Sequence, residues 1–141
     1  MDLTIFTEDF LRELFRKNQL IVLGSVDKSI KIWDAETGEC MKTLEGHSVG
    51  VWSIAFSSDD KLILSGSGKR IKIWDVETGE CVKTLKGHSE DILSVAFSSD
   101  DKLILSGSDD KSIKIWDTET GECLKTLEKH TVYAWFVAFS H

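Results

Sequence analysis

The chain has 141 residues, of which 41% are hydrophobic and 29% charged, the make-up of one ordinary globular domain. Seventeen basic against 24 acidic residues leave a net charge of −7, which argues against a nucleic-acid partner, whose footprint is a basic stripe. No apolar run nears the ~20 residues that span a bilayer, and the N-terminus lacks the layout of a secretory signal. The expected setting is therefore the cytoplasm, with no membrane partner.

Residues 1–19 read as a segment of their own. Thr7 can cap a helix, Glu8 and Asp9 fall in its first turn, and Arg16 and Lys17 in its last. Phe6 and Leu11 stand at the two positions of a hydrophobic staple, and Phe10, Leu11, Leu14 and Phe15 share one face. A short helix is the expectation. Residues 8–15 (EDFLRELF) also align with residues 90–97 (EDILSVAF), so a degraded first strand is the alternative.

From residue 20 the sequence repeats, and repetition at this period decides the fold. Ile-Lys-Ile-Trp-Asp occurs at 30–34, 71–75 and 113–117, and Glu-Thr-Gly-Glu-Cys at 36–40, 77–81 and 119–123. Residues 57–67 return unchanged as 98–108. The period is 41 and then 42 residues, because Gly68-Lys69-Arg70 in one copy meets Asp109-Asp110-Lys111-Ser112 in the next. Alternation and turn residues divide a full copy into four short strands, at 51–57, 62–67, 70–75 and 81–85. Gly79 closes a Glu-Thr-Gly turn suited to positive φ.

Four antiparallel strands per ~40–45 residues, with Gly-His and Trp-Asp signatures, make a WD-type blade. Gly-His stands at 46–47 and 87–88, and Trp-Asp at 33–34, 74–75 and 116–117. Over roughly residues 20–140 the chain thus resembles the WD-repeat family. The resemblance implies an all-β fold, with three four-stranded antiparallel β-propeller blades in residues 20–141 and the first strand of each lining a central channel. It also implies a buried tetrad of histidine, turn aspartate, strand serine and tryptophan in each blade. The third copy offers His88, Asp110 and Trp116, with Ser106 or Ser108 as the hydroxyl. The second offers His47 and Trp74, with Ser65 or Ser67, but its shortened turn has no aspartate, so its network should be incomplete. The first offers Asp27, Trp33 and Ser25, without a Gly-His of its own.

A buried indole N–H, hydroxyl and imidazole all need partners, and a carboxylate can anchor them. The same residue types serve hydrolases, yet this set recurs with the scaffold, whereas a catalytic triad occurs once in a cleft. There is no Gly-x-Ser-x-Gly elbow either. His47, His88 and His130, one per blade, are too dispersed for a metal site. Cys40, Cys81 and Cys123 form neither a disulfide framework nor a C-x-x-C zinc motif, and are expected to be buried, inert thiols. No catalytic, metal or cofactor residue is assigned.

The last residues, 131–141, align with 89–99 and supply an additional first strand at 133–139. Tyr133, Trp135, Val137 and Phe139 can complete the blade begun at Leu20, with His130 serving Asp27 and Trp33. Three blades are short of the ~4–8 of a closed ring, and an open stack would expose two apolar faces. A homodimer of six blades with exchanged C-terminal strands is therefore expected, with a nine-bladed homotrimer as the alternative.

The copies differ most in the loop that enters the first strand. Propellers of this family commonly bind peptides or partner proteins on the face bearing that loop. Trp52, Glu90, Asp91, Tyr133 and Trp135, with Lys69 and Arg70, are the candidate partner-binding residues. Alternatively, Trp52 and Trp135 pack in the channel wall or at the chain–chain junction. The expected function is a non-catalytic scaffold for a protein or peptide, built by self-assembly of half-propellers and needing no cofactor. A purely structural oligomerisation piece without a ligand is the alternative, and with neither a unique pocket constellation nor a phosphate-cradling motif an enzyme is not expected.

Overall fold

The structure, a computed structural model, describes residues 20–24 and 28–128. Their strands fall into three antiparallel meanders. The first contains β1 (Leu20–Gly24), β2 (Ile30–Asp34) and β3 (Cys40–Leu44). The second contains β4 (Ser53–Phe56), β5 (Leu62–Ser67), β6 (Arg70–Asp75) and β7 (Cys81–Lys86). The third contains β8 (Ile92–Phe97), β9 (Leu103–Ser108), β10 (Ile113–Asp117) and β11 (Cys123–Leu127). The expected helix in residues 1–19 and the closing strand with Tyr133, Trp135, Val137 and Phe139 lie outside the described residues, as do Ser25, Asp27 and His130.

Successive residues of a strand point to opposite faces, and both faces of the second sheet are buried. Ile63 and Trp74 look toward the first sheet, where they pack with Val22, Ile30, Ile32, Leu44 and Val51. Leu64, Ile71, Ile73 and Leu85 look toward the third sheet, where they meet Ile92, Val95, Ile104 and Trp116. The sheets therefore stack like blades, each apolar on two sides. Gly66 lies where two blades come closest, since a Cβ there would sit 2.7 Å from Ile92 Cγ2. A second link crosses the same junction, where the Asp101 carboxylate accepts the Ser58 N–H at 2.9 Å and the Ser58 O–H at 2.6 Å.

The outer strands carry a bulge opposite each signature tryptophan. Ile73 pairs with Lys83 but Trp74 with Cys81, and the same shift occurs at Trp33 and Trp116. Two outer-strand residues thus oppose one inner residue. The bulge lies on the edge strand of the blade, and this corrects the expectation for the thiols. Cys40, Cys81 and Cys123 are free and exposed rather than buried. Each Sγ lies 3.3–3.5 Å from the carbonyl of the lysine two residues on.

Candidate functional site

The third blade holds a continuous hydrogen-bond chain. Trp116 Nε1–H donates to Ser106 Oγ at 2.9 Å, and Ser106 Oγ lies 2.7 Å from His88 Nε2. His88 Nδ1 lies 2.8 Å from Asp110 Oδ2. Since the serine oxygen already accepts the indole proton, its own O–H donates to Nε2, leaving the imidazole proton on Nδ1 for the carboxylate. Asp110 Oδ2 also accepts the Ser89 N–H at 3.0 Å, and Oδ1 the Ser112 N–H at 2.9 Å. Burial pushes the Asp110 carboxyl up, but hydrogen bonds from Ser112, His88 and the Ser89 N–H prevail and hold it at about 2. Burial lowers His88, and the Asp110 charge and hydrogen bond offset only part of that shift.

Ser108, the other candidate hydroxyl, does a different job. Its O–H faces the Glu90 and Asp91 carbonyls at 3.1 and 2.9 Å and so ties down the entry loop. Ser67 does the same in the second blade, toward the Val49 and Gly50 carbonyls at 2.8 and 2.7 Å. The tetrad hydroxyls are therefore Ser106 and Ser65, not Ser108 and Ser67.

In the second blade, Trp74 Nε1–H donates to Ser65 Oγ at 2.8 Å, and Ser65 Oγ lies 2.6 Å from His47 Nε2. The network stops there, because Ser67 and Arg70 are joined by a two-residue turn, Gly68-Lys69, with Gly68 at φ +54°. His47 is 8% exposed, and burial, aided by the Lys72 charge, lowers it to about 4. An ordinary histidine titrates near 6.5, so between pH 6.5 and 4 the unfolded chain binds more protons than the folded one. Stability is full above pH 6.5 and is lost as pH falls toward 4, with His88 acting in the same direction. Urea titrations should accordingly give a lower midpoint at pH 4.5 than at pH 7, and equal midpoints would contradict this.

The first blade is the least satisfied. Leu23 pairs with Lys31, just as Ser65 pairs with Lys72 and Ser106 with Lys114. Leucine thus occupies the serine position in the register, and Trp33 Nε1 is buried without a hydrogen-bond partner among the described residues. Such an orphaned donor costs about 1–3 kcal/mol. Ser25, expected to supply that hydroxyl, lies outside the described residues.

One set of residues was missed in the sequence, although an Asp three residues before Thr and four before Gly is a turn signal. Asp34, Asp75 and Asp117, which follow the signature tryptophans, accept the N–H of Thr37, Thr78 and Thr120 at 2.9–3.0 Å. Their carbonyls accept the N–H of Gly38, Gly79 and Gly121 at 2.8 Å, and those glycines sit at φ +77° to +78°.

Among the candidate partner-binding residues, Trp52, Lys69, Arg70 and Asp91 share a groove of about 400 Å³ on the entry-loop face. Trp52 is 59% exposed. Glu90 is exposed beside Asp91, outside that groove. Tyr133 and Trp135 lie outside the described residues. No cluster of metal-ligating side chains occurs among the described residues.

Stacked antiparallel meanders, the second and third of them four-stranded and each with a Trp–Ser–His network, define blades of a WD-type propeller. The family "WD domain, G-beta repeat" matches residues 14–34, 38–75 and 79–117, more than half of the chain, and the chain belongs to that family. WD repeats are protein-interaction scaffolds, generally non-catalytic. Similar stretches occur in nuclear distribution protein PAC1 of Mycosarcoma maydis, 49% identical over 43 residues, 30% of this chain and 10% of that protein. WD repeat-containing protein pop2 of Schizosaccharomyces pombe is 37% identical over 51 residues, 36% of this chain and 7% of its own length. Mitogen-activated protein kinase kinase kinase A of Dictyostelium discoideum is 48% identical over 33 residues, 23% of this chain and 4% of its own length. The matched stretch thus spans a tenth or less of each of these relatives.

Proposed function

We propose that the chain is a cytoplasmic, non-catalytic protein-binding scaffold whose three blades join those of a second copy to complete a six-bladed ring. The observation that carries this reading is that equivalent positions are buried unequally. Leu44 and Leu85 are 1% and 2% exposed where the following blade covers them, whereas Leu127 is 44% exposed. Ile30, Ile32, Ile71 and Ile73 are buried, yet Ile113 and Ile115 are only half-buried. At the other end of the stack, Trp33 is half-buried while Trp74 and Trp116 are fully buried.

The turn glycines follow the same pattern. A Cβ at Gly79 or Gly121 would touch a leucine of the preceding blade at 3.4 or 3.1 Å, whereas one at Gly38 would meet nothing within 4 Å. The two ends are complementary in the way that successive blades are, so head-to-tail association of copies buries both. Free, exposed thiols at Cys40, Cys81 and Cys123 suit a reducing cytoplasm.

Light scattering should return twice the 15.8 kDa of the chain. Three times that mass would favour the nine-bladed trimer, and a monodisperse single-chain species would overturn the assembly. The entry-loop groove with Trp52 is the partner-docking face in this reading. Trp52→Ala should then abolish capture of a bound peptide without changing the assembled mass.

A further inference from the structure

The second and third blades present a matched pair of sites that differ in one turn, which in the second blade lacks the aspartate and carries Arg70 in place of Ser112. In the third blade the Asp110 carboxylate accepts protons from His88 Nδ1, the Ser89 N–H and the Ser112 N–H. In the second blade the corresponding donors are His47 Nδ1, the Ser48 N–H and Arg70, which stands directly before Ile71 as Ser112 stands before Ile113. His47 keeps the orientation of His88. Its ring meets Trp74 edge-on at 5.9 Å and 61°, against 6.2 Å and 60° for His88 and Trp116. Both rings offer Nε2 to serine, so His47 Nδ1 faces the side where a carboxylate would sit.

Among the described residues neither His47 Nδ1 nor the Ser48 N–H has a hydrogen-bond partner. Ser65 Oγ accepts the indole proton and lies 2.6 Å from His47 Nε2; the tautomer that matches the third blade, with the hydroxyl donating to Nε2, puts a proton on Nδ1 that needs an acceptor. The groove opens next to His47, at Ser48. It is lined by Ser48, Trp52, Ser67, Lys69, Arg70 and Asp91, among others. Two cations face one carboxylate in it, a local positive excess on a chain whose net charge is −7. Arg70 replaces the paired donors of Ser112 with a guanidinium fork, the group best shaped for a carboxylate. Trp52 supplies an exposed ring against which the stem of an acidic side chain can lie.

We propose that this groove binds the carboxylate of an aspartate or glutamate in a partner polypeptide, placing it where Asp110 sits in the third blade. This deepens the reading of the entry-loop face as the docking face, and it is independent of ring closure. The incomplete tetrad then serves recognition, since the blade finishes its network with a group borrowed from its partner. A lysine- or arginine-containing peptide is disfavoured by Lys69 and Arg70, and a neutral amide lacks the charge that the donors select.

The test uses the full chain with N-acetyl hexaglutamate amide as probe and the hexaglutamine peptide as control, followed by the NMR resonances of the His47 ring and by Trp52 fluorescence. The glutamate peptide should shift the His47 resonances saturably and bind at least 10-fold more tightly than the glutamine peptide. Arg70→Ser should weaken it at least 10-fold. Replacing Gly68-Lys69-Arg70 by the Asp-Asp-Lys-Ser turn of the third blade should abolish the His47 shift, because the chain then carries its own carboxylate. Equal affinity for both peptides, or an undiminished His47 shift in Arg70→Ser, would overturn the proposal. A perturbation of Trp52 alone, without His47, would leave the docking face standing and remove the carboxylate site. Failure of ring closure would show separately, in the solution mass.

Discussion

Replacing Asp110 with alanine is expected to destabilise the chain by about 2–4 kcal/mol, more than any other single change in the hydrogen-bond networks. The carboxylate accepts from His88 Nδ1 at 2.8 Å, where the only other nearby group among the described residues is the more distant Ser112 Oγ at 3.2 Å, and it also takes the Ser89 and Ser112 N–H groups. Removing it strips the buried His88 and Ser112 of their carboxylate partner, whereas the exposed Ser89 N–H can turn to water. His88 itself is buried, so water cannot readily take the place of the carboxylate. Urea unfolding should show the loss as a midpoint lower by roughly 1–2 M, given slopes of about 1–3 kcal/mol/M. Asp110→Asn, which keeps an acceptor oxygen but not the charge, should lose less. The carboxyl is held at about 2 when folded, against 3.8 ordinarily, so its contribution is present above pH 3.8 and is lost as pH falls through 2. A midpoint for Asp110→Ala equal to that of the parent would mean that the network stabilises nothing.

The second blade shows why the same loss is tolerated there. Ser48 and Arg70 line an open groove there, and the shortened turn removes Ser112 along with the aspartate, substituting a long, exposed arginine. In the third blade two of the three donor residues, His88 and Ser112, are buried. An equivalent network can thus be structural in one repeat and open in the next, although the two repeats are nearly identical in sequence.

Much of this was legible because repetition reports on itself. The four-strand division, the incompleteness of the second tetrad and the grouping of Trp52 with Lys69 and Arg70 all follow from comparing copies. What escaped is instructive about strands. Ser65 and Ser67 lie two apart on one strand, so they point to the same face and alternation cannot separate them. Only register does, by pairing Ser65 with Lys72, two residues before Trp74. The same register places Leu23 opposite Lys31, the position that Ser65 and Ser106 hold in the other blades. The cysteines misled because a repeated small apolar residue reads as core. The bulge on an edge strand is a tertiary feature, and it carries them outward. The signature aspartates Asp34, Asp75 and Asp117 were visible throughout as residues, but their role as turn acceptors depends on the Glu-Thr-Gly backbone folding over them.

A paired substitution at one repeat position separates folding from association. Ile71 and Ile113 occupy the same place in successive blades, yet Ile71 is fully buried against the third blade while Ile113 is half-buried. Ile71→Glu would bury an unpaired carboxylate inside the chain, at a cost of several kcal/mol, and is expected to unfold most of the chain at 25 °C. Ile113→Glu faces water unless another blade covers it. It is therefore expected to leave the circular dichroism of the three blades intact while raising the dissociation constant of the assembly at least 100-fold, equivalent to about 2.7 kcal/mol. Light scattering at matched concentrations reads the difference directly, with Ile113→Glu running at the single-chain mass. If the variant instead keeps the mass of the parent assembly, the half-buried face of β10 is not where copies meet. The complementary pairing of that face with Trp33 would then have to be abandoned, even if the chain remains oligomeric by some other surface.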